Sequence, residues 1–398
     1  MLGKGPQLLK ELNRSLVMRI IREEGPNSRA EIARKTGLSV PAILKIVSGL
    51  IDDGYLREIG EGQSTGGRKP VLLDIQPDGA YAIGINLTPN FIRAAMVKLN
   101  FEIAYDTRTP INPKQGYKAI LQQMLTLIEE VITKSEVQRS KILGIGVAHP
   151  GVMGNEADKI LIATNLSSLQ NAPLGEDIEK FFHLPVTLEV DARASALAEM
   201  WLGDAAGIDN FLTIDIGFGL GSGLVLGRKI YRGSNGLAGE LGHMVTEANG
   251  FACTCGKSGC LETVVAFPAI VRELCKNPSP LVLKLCEGDR RKISINSILE
   301  AAQHNDPGAI RAIRKSAQAL GKALGNLLNF IDVSMIFINS KLTTVGQLYV
   351  STVQEELEKY FLLAKEKTVQ VRASALGLDS EILGASVLIL QNVFWANA

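Results

Sequence analysis

The sequence predicts an α/β protein with a winged helix-turn-helix at its N-terminus. Three observations carry this reading. Residues 28–52 spell a helix, a glycine turn and a second helix, followed by two strand patterns around a basic glycine-rich loop. The remaining chain alternates short β-patterned runs with amphipathic helical stripes. A glycine-alternating run from Phe211 has strands on both sides and no helix after it, which excludes a dinucleotide-binding turn.

In the first 76 residues, Leu12, Leu16, Ile20 and Ile21 form a helical stripe that Gly25-Pro26 stops. Ser28 followed by Glu31 is a capping box for a second helix, closed by Gly37. Ser39 starts a third helix with Pro41 in its first turn. YLREIG and PVLLDI read as strands around the loop EGQSTGGRKP. The third helix would enter the major groove, with Ser39, Ala42, Ile43 and Lys45 as candidate DNA contacts. Arg68 and Lys69 in the wing would contact phosphate or the minor groove. The competing reading is a small helical bundle used for protein docking.

Residues 80–109 read as a meander of three strands, and Gln115–Ser135 as an amphipathic helix. ILGIGVAHPG is a buried strand ending at His149-Pro150-Gly151. LPVTLEVDARASALAEMWLG is a strand running into a helix, with Asp191 at the junction. A carboxylate there is placed to accept a ligand or act as a base, or simply to cap the helix.

Phe211–Ile216 is a buried strand, and Gly217, Gly219, Gly221 and Gly223 alternate with larger residues behind it. Such spacing serves a phosphate cradle or tight sheet packing. GLAGELGHMV and CTCGKSGCLE follow. His243, Cys253, Cys255 and Cys260 supply one imidazole and three thiolates, a tetrahedral donor set for structural zinc. Three free thiols are the alternative. Beyond them, residues 261–275, 294–304, 306–330, 345–363 and 383–395 read as helices and residues 333–339 and 369–374 as strands, with no internal repeat.

Five cysteines, three of them clustered, fit a reducing compartment, and the start lacks an apolar signal core, so a cytoplasmic protein with no membrane span is expected. Net charge is +1 but uneven: residues 1–70 carry 12 Lys and Arg against 8 Asp and Glu, which places the basic excess where nucleic acid would bind.

The chain resembles the ROK family of bacterial sugar repressors and sugar kinases, and its repressor branch of xylose-repressor type most. The resemblance rests on the helix-turn-helix, STGGRKP, GVAHPG, NLSS, VDARASALAE, DIGFGLGSG, GLAGELGH, CTCGKSGCLE and LGASVLIL. It implies an actin/hexokinase-like fold. Residues 1–76 would be the DNA-binding domain, 77–190 the small lobe with helix 380–398 packed back on it, and 191–379 the large lobe with the zinc loop. It casts Asp191 as the counterpart of a kinase base, used here for sugar binding. Asn165, Glu240, His243 and Glu262 would line the sugar site, and Gly217, Gly219, Gly221 and Gly223 would be a phosphate-loop remnant.

Kinases of the family open with an Asp-x-Gly-Gly-Thr hairpin, and here Asn86 replaces the acid and Pro89 stiffens the loop. Asn339-Ser340 stands where the adenosine-side Gly-Gly is expected, and Val190 precedes Asp191 where Asn is common. A neutral amide holds Mg²⁺ poorly, and phosphoryl transfer depends on positioning and charge neutralisation, so ATP and Mg²⁺ are not expected to bind. The sequence therefore reads as a sugar-responsive repressor, a homodimer or homotetramer on a double-stranded operator with a sugar or sugar derivative in the cleft. An ATP-dependent sugar kinase with a DNA-binding head is the alternative. A zinc-stabilised carbohydrate-binding protein is a third reading.

Overall fold

The computed structural model describes residues 5–62, 69–154, 159–163 and 165–395. The head opens with helix α1 (Gly5–Glu24), the short strand β1 (Asn27–Ser28), α2 (Arg29–Thr36) and α3 (Val40–Asp52). Both halves of the Ser28/Glu31 capping box form, and Gly37 closes α2 in the left-handed conformation. The Ser39 hydroxyl caps α3 by accepting from the Ala42 N–H. Strands β2 (Leu56–Glu61) and β3 (Val71–Ile75) complete the wing, with β3 between β1 and β2. Ile20 and Ile21 of the predicted α1 stripe are buried, with Val17 and Met18 beside them, whereas Leu12 is exposed.

The small lobe begins with the meander β4 (Tyr81–Leu87), β5 (Phe91–Lys98) and β6 (Ile103–Pro110). Helix α4 (Tyr117–Lys134), β7 (Ile142–His149), the hairpin β8 (Val152–Met153) and β9 (Ile160–Ile162), α5 (Leu174–Phe182) and β10 (Val186–Val190) follow. Helix α6 (Asp191–Leu202) leads to the large lobe, which starts with β11 (Phe211–Ile216), β12 (Leu220–Leu226) and β13 (Lys229–Ile230). Next come α7 (Glu262–Val265), α8 (Phe267–Lys276), α9 (Pro280–Leu285), α10 (Ile295–Gln303) and α11 (Pro307–Leu328). The chain finishes with β14 (Met335–Ser340), α12 (Leu348–Tyr360), β15 (Gln370–Ala373) and α13 (Ser380–Phe394). The single helix expected from Leu261 is broken at Ala266, whose backbone is extended, and Phe267-Pro268 restarts it.

The two main sheets have one topology. Their strand orders are β10-β7-β4-β5-β6 and β13-β12-β11-β14-β15. In each, three antiparallel strands are followed by two parallel ones on the other side of the first. This is an internal structural repeat, contrary to the reading from the sequence, where the two halves share no pattern.

Helix α13 lies on β4 and β7, and α6 lies on β11 and β12. The two helices cross in direct backbone contact. A β-carbon on Gly384 would stand 1.8 Å from the Ala194 carbonyl oxygen, so glycine is required there. The head is fused to this seam: one hydrophobic core runs from Val17, Met18, Ile43 and Leu50 through Leu73 to Trp201, Leu390 and Phe394. Among the described residues no helix is long and apolar enough to cross a membrane.

Candidate functional site

A cleft with a volume of about 1230 Å³ runs between the lobes. The strand ends and hairpin tips of both sheets converge on it, as in other open α/β folds where ligands bind beyond the strand ends. It brings together Asn165, Asp191, Glu240, His243 and Glu262 with Gly217, Gly219 and Gly221.

Asp191 is the first residue of α6, after Val190 at the cap position, so it is not an N-cap. One of its oxygens accepts from the Ala192 N–H at 2.7 Å. Burial pushes its carboxyl up to about 7, a neighbouring Glu240 adds to the shift, and the Ala192 bond offsets part of it. A carboxylate poised there can take a proton from a hydroxyl or bind one. Glu240 is also raised, mainly by burial.

Two acids that were not singled out as site residues share this cleft. Asp215, at the end of β11, is raised well above the ordinary carboxylate value by burial and by Glu381, and the side chains of Ser195 and Asn339 beside it offset part of the shift. Glu381, in the first turn of α13, is pushed up to about 7 by burial and by Asp191. Both are lone acids in otherwise apolar runs, FLTIDI and SEILGASVLIL, and that was the available signal.

A third residue organises the loop that carries Glu240. Arg193, on the first turn of α6, is buried and donates to the carbonyls of Gly236 at 2.6 Å and Ala238 at 2.9 Å. Glu189 lies 3.6 Å from it and also receives Arg232 at 3.1 Å. A lone Arg in a helix of small residues was the sequence signal for this clamp.

The glycines of the β11–β12 hairpin divide by cause. β-carbons on Gly221 and Gly223 would stand 2.8 Å from the Ala192 side chain and 2.5 Å from the Ala192 carbonyl, so α6 packing demands glycine at both. At Gly219 the obstacle is the Glu262 carboxylate at 2.9 Å, and Gly217 faces open space. The tip carries Phe218, half exposed and edge-on to Phe267. Asn86 and Asn339 are buried in strands, each with an unpaired amide oxygen among the cleft-lining atoms. Ser340 donates to the Ile216 carbonyl at 2.8 Å, so Asn339-Ser340 is sheet rather than a nucleotide loop.

The ligand atoms of His243, Cys253, Cys255 and Cys260 all lie within 4.8 Å of one another. Cys253 Sγ is 3.6 Å from His243 Nδ1, and Cys255 Sγ is 3.6 Å from Cys260 Sγ. The edges of a tetrahedron with zinc–ligand bonds of 2.0–2.3 Å are about 3.5–3.8 Å, so the donor set fits. Burial and the neighbouring sulfurs push the Cys260 thiol up to about 12, and three thiols this close ionise together only against a cation. With Nδ1 toward the sulfurs, His243 has Nε2 left for the cleft. Glu262 joins loop to hairpin: one oxygen accepts from Leu220 N–H at 3.0 Å, and the other lies 3.8 Å from Cys253 Sγ.

On the head, Lys45 and Ser39 are exposed and Ala42 is half-buried. Ile43 is a correction: it is fully buried beneath α3 and cannot reach a base. The outer face of α3 is instead Val40, Leu44 and Lys45. Lys69 is exposed and lies 3.8 Å from Glu61, whereas Arg68 lies outside the described residues.

Sequence profiles match on both parts of the chain: a winged helix-turn-helix DNA-binding profile over residues 12–57 and the ROK family profile over residues 82–392. The putative xylose repressor of Caldicellulosiruptor sp. (strain Rt8B.4) is 30% identical over 396 residues, 97% of each chain. The DNA-binding transcriptional dual regulator NagC of Escherichia coli (strain K12) is 27% identical, over 96% of this chain and 93% of its own. Among solved structures, a ROK family transcriptional regulator, a homolog of the E. coli MLC protein, superposes with a TM-score of 0.80 at 28% identity over 97% of each chain. A ROK family glucokinase from Streptomyces griseus, in complex with glucose and AMPPNP, gives 0.73 at 27% identity, covering 78% of this chain and 100% of its own. The match along residues 82–392, and a relative 30% identical along nearly the whole length, show that this chain belongs to the ROK family.

Proposed function

We propose that this protein is a sugar-responsive, DNA-binding transcriptional repressor whose effector occupies the interlobe cleft. The observation that carries the reading is a single one: a helix-turn-helix head with an exposed α3 shares a continuous core with the two helices that bear Asp191 and Glu381 in the cleft. Relatives named xylose repressor and N-acetylglucosamine repressor supply the effector class, a sugar or sugar derivative, and the target, an operator duplex.

Asp191, Asn165, Glu240 and the free face of His243 are the sugar contacts in this reading. They are acceptors and an imidazole, suited to several hydroxyls at once. Zinc held by His243, Cys253, Cys255 and Cys260 is structural, since protein fills all four positions, and it fixes the loop that presents Glu240 and Glu262. Lys45 and the wing, including Lys69, contact DNA phosphates. A homodimer or dimer of dimers sets two heads on a palindromic operator, and cysteines used for metal rather than disulfides fit a reducing cytoplasm.

The glucokinase neighbour and the raised Asp191 carboxyl favour the alternative of a sugar kinase. Asn86 in place of a carboxylate and the strand at Asn339-Ser340 weigh against it, because each removes a partner of the nucleotide phosphates or adenosine. The test measures affinity for a duplex selected by the protein from a random pool, with and without D-xylose or N-acetyl-D-glucosamine. A sugar-dependent change supports the repressor. Phosphorylation of either sugar from Mg-ATP at enzyme-like rates contradicts it.

A further inference from the structure

We infer that Arg22 is the positioning residue through which the DNA-binding head senses the state of the cleft, by stacking across the far ends of the two helices that reach into it. The inference rests on the repressor reading and adds the route of the signal.

Helices α6 and α13 both start at the cleft, with Asp191 and Glu381 in their first turns, and both end beneath the head, at Trp201 and at Phe394 and Trp395. Each belongs to a different sheet, since α6 lies on β11 and β12 and α13 on β4 and β7. A change in lobe closure is therefore a change in the angle between these helices. The seam leaves no cushion for sliding: Gly384 meets the Ala194 carbonyl directly, and the buried hydroxyls of Ser195 and Ser380 touch at 3.2 Å. The crossing acts as a pivot near the cleft end.

The arms beyond the pivot are long. At 1.5 Å per residue, Ala194 to Trp201 spans about 10 Å and Gly384 to Trp395 about 16 Å, so a rotation of about 10° displaces their ends by roughly 2–3 Å. Arg22 sits where that displacement arrives. Its guanidinium is 4.1 Å from the Trp201 ring centroid on one arm and 5.2 Å from that of Trp395 on the other, and it donates to the Trp201 carbonyl at 3.3 Å. A cation lying over both rings, which meet edge-on at 4.5 Å, tells the arms' closed and open settings apart, because contact with both requires both rings near. Arg22 belongs to α1, and α1 passes the shift to the DNA-reading helix, since Arg14 pairs with Asp53 at the end of α3.

The experiment compares wild type with Arg22→Met, which keeps the apolar stem and removes the cationic plane. Readouts are affinity for the selected duplex, with and without D-xylose or N-acetyl-D-glucosamine, and sugar affinity by calorimetry. Wild type is expected to change its DNA affinity about tenfold or more on binding sugar, within the ordinary range for coupled sites. The variant is expected to bind sugar and free duplex within about threefold of wild type, with a response below about twofold. The conservative Arg22→Lys is expected to restore part of the response, because a cation returns without its plane. Should Arg22→Met fail to fold, Trp395→Ala at the chain end carries the same test. A full response in either folded variant overturns the inference. A wild type that binds both sugar and duplex without any response sinks the repressor reading itself, and this route with it.

Discussion

Asp191 and Trp201 stand at opposite ends of one helix, the first in the interlobe cleft and the second under the guanidinium of Arg22 in the DNA-binding head. Most residues of that helix are small or apolar, and Arg193 reaches sideways to clamp the loop of Glu240. Asp191 and the head are thus joined by a rigid element rather than by a linker.

Replacing Asp191 by Asn removes the carboxylate and keeps the shape. A hydrogen bond to a charged partner contributes about 1.5–3 kcal/mol, so sugar affinity should fall roughly tenfold to a hundredfold. Duplex affinity without sugar should stay within about twofold, since no DNA contact changes. Calorimetric titration with sugar checks the first, and fluorescence anisotropy the second.

Stability should fall as pH rises from about 4 to 7. Asp191 and Glu381 have ordinary values of 3.8 and 4.5 and are pushed up to about 7 in the fold. Across that window the folded protein holds protons that the unfolded chain has released, and such protons stabilise until they are lost at the higher value. Glu381→Gln should therefore stabilise the protein at pH 8 by on the order of 1–2 kcal/mol, seen as a higher Tm, and change it little at pH 4. Melting curves across pH check this; a variant equally stabilised at both pH values would contradict the shift.

Cys255→Ser should lose metal and stability together. The remaining His243, Cys253 and Cys260 leave one corner of the tetrahedron to water. Elemental analysis should fall well below one zinc per chain, and chelator should lower the Tm of wild type but scarcely that of the variant.

The head offers a contrast between neighbours on α3. Lys45→Ala should weaken duplex binding at all sequences and lower the slope of log affinity against log salt by about 1, while leaving Tm unchanged. Ile43→Ala should instead cost about 2–4 kcal/mol of stability, because Ile43 is fully buried in the core shared by head and body.

Local chemistry was legible in the sequence and long-range geometry was not. The Ser28/Glu31 capping box, the Ser39 cap, the hairpin from Phe211 and the four-residue sulfur and imidazole cluster all form as their spacing dictates. Each depends on residues close along the chain, His243 and Cys260 being the farthest apart. Ile43 was misassigned because a helix stripe fixes which residues share a face but not which face turns inward once β3 and α1 have packed. The common topology of the two sheets was invisible because it is a matter of strand order, and the strands of each lobe carry different residues. Glu381 and Arg22 escaped for a related reason. Nothing in SEILGASVLIL or in VMRIIREE says that 359 residues of chain return to bring the two helices together.

The most direct measurement is affinity for the selected duplex as the cleft is filled. Fluorescence anisotropy, with D-xylose or N-acetyl-D-glucosamine raised to saturation as judged by calorimetry on the same sample, should show a DNA Kd that changes about tenfold or more. A DNA Kd that stays constant while calorimetry shows the cleft saturated would contradict the account.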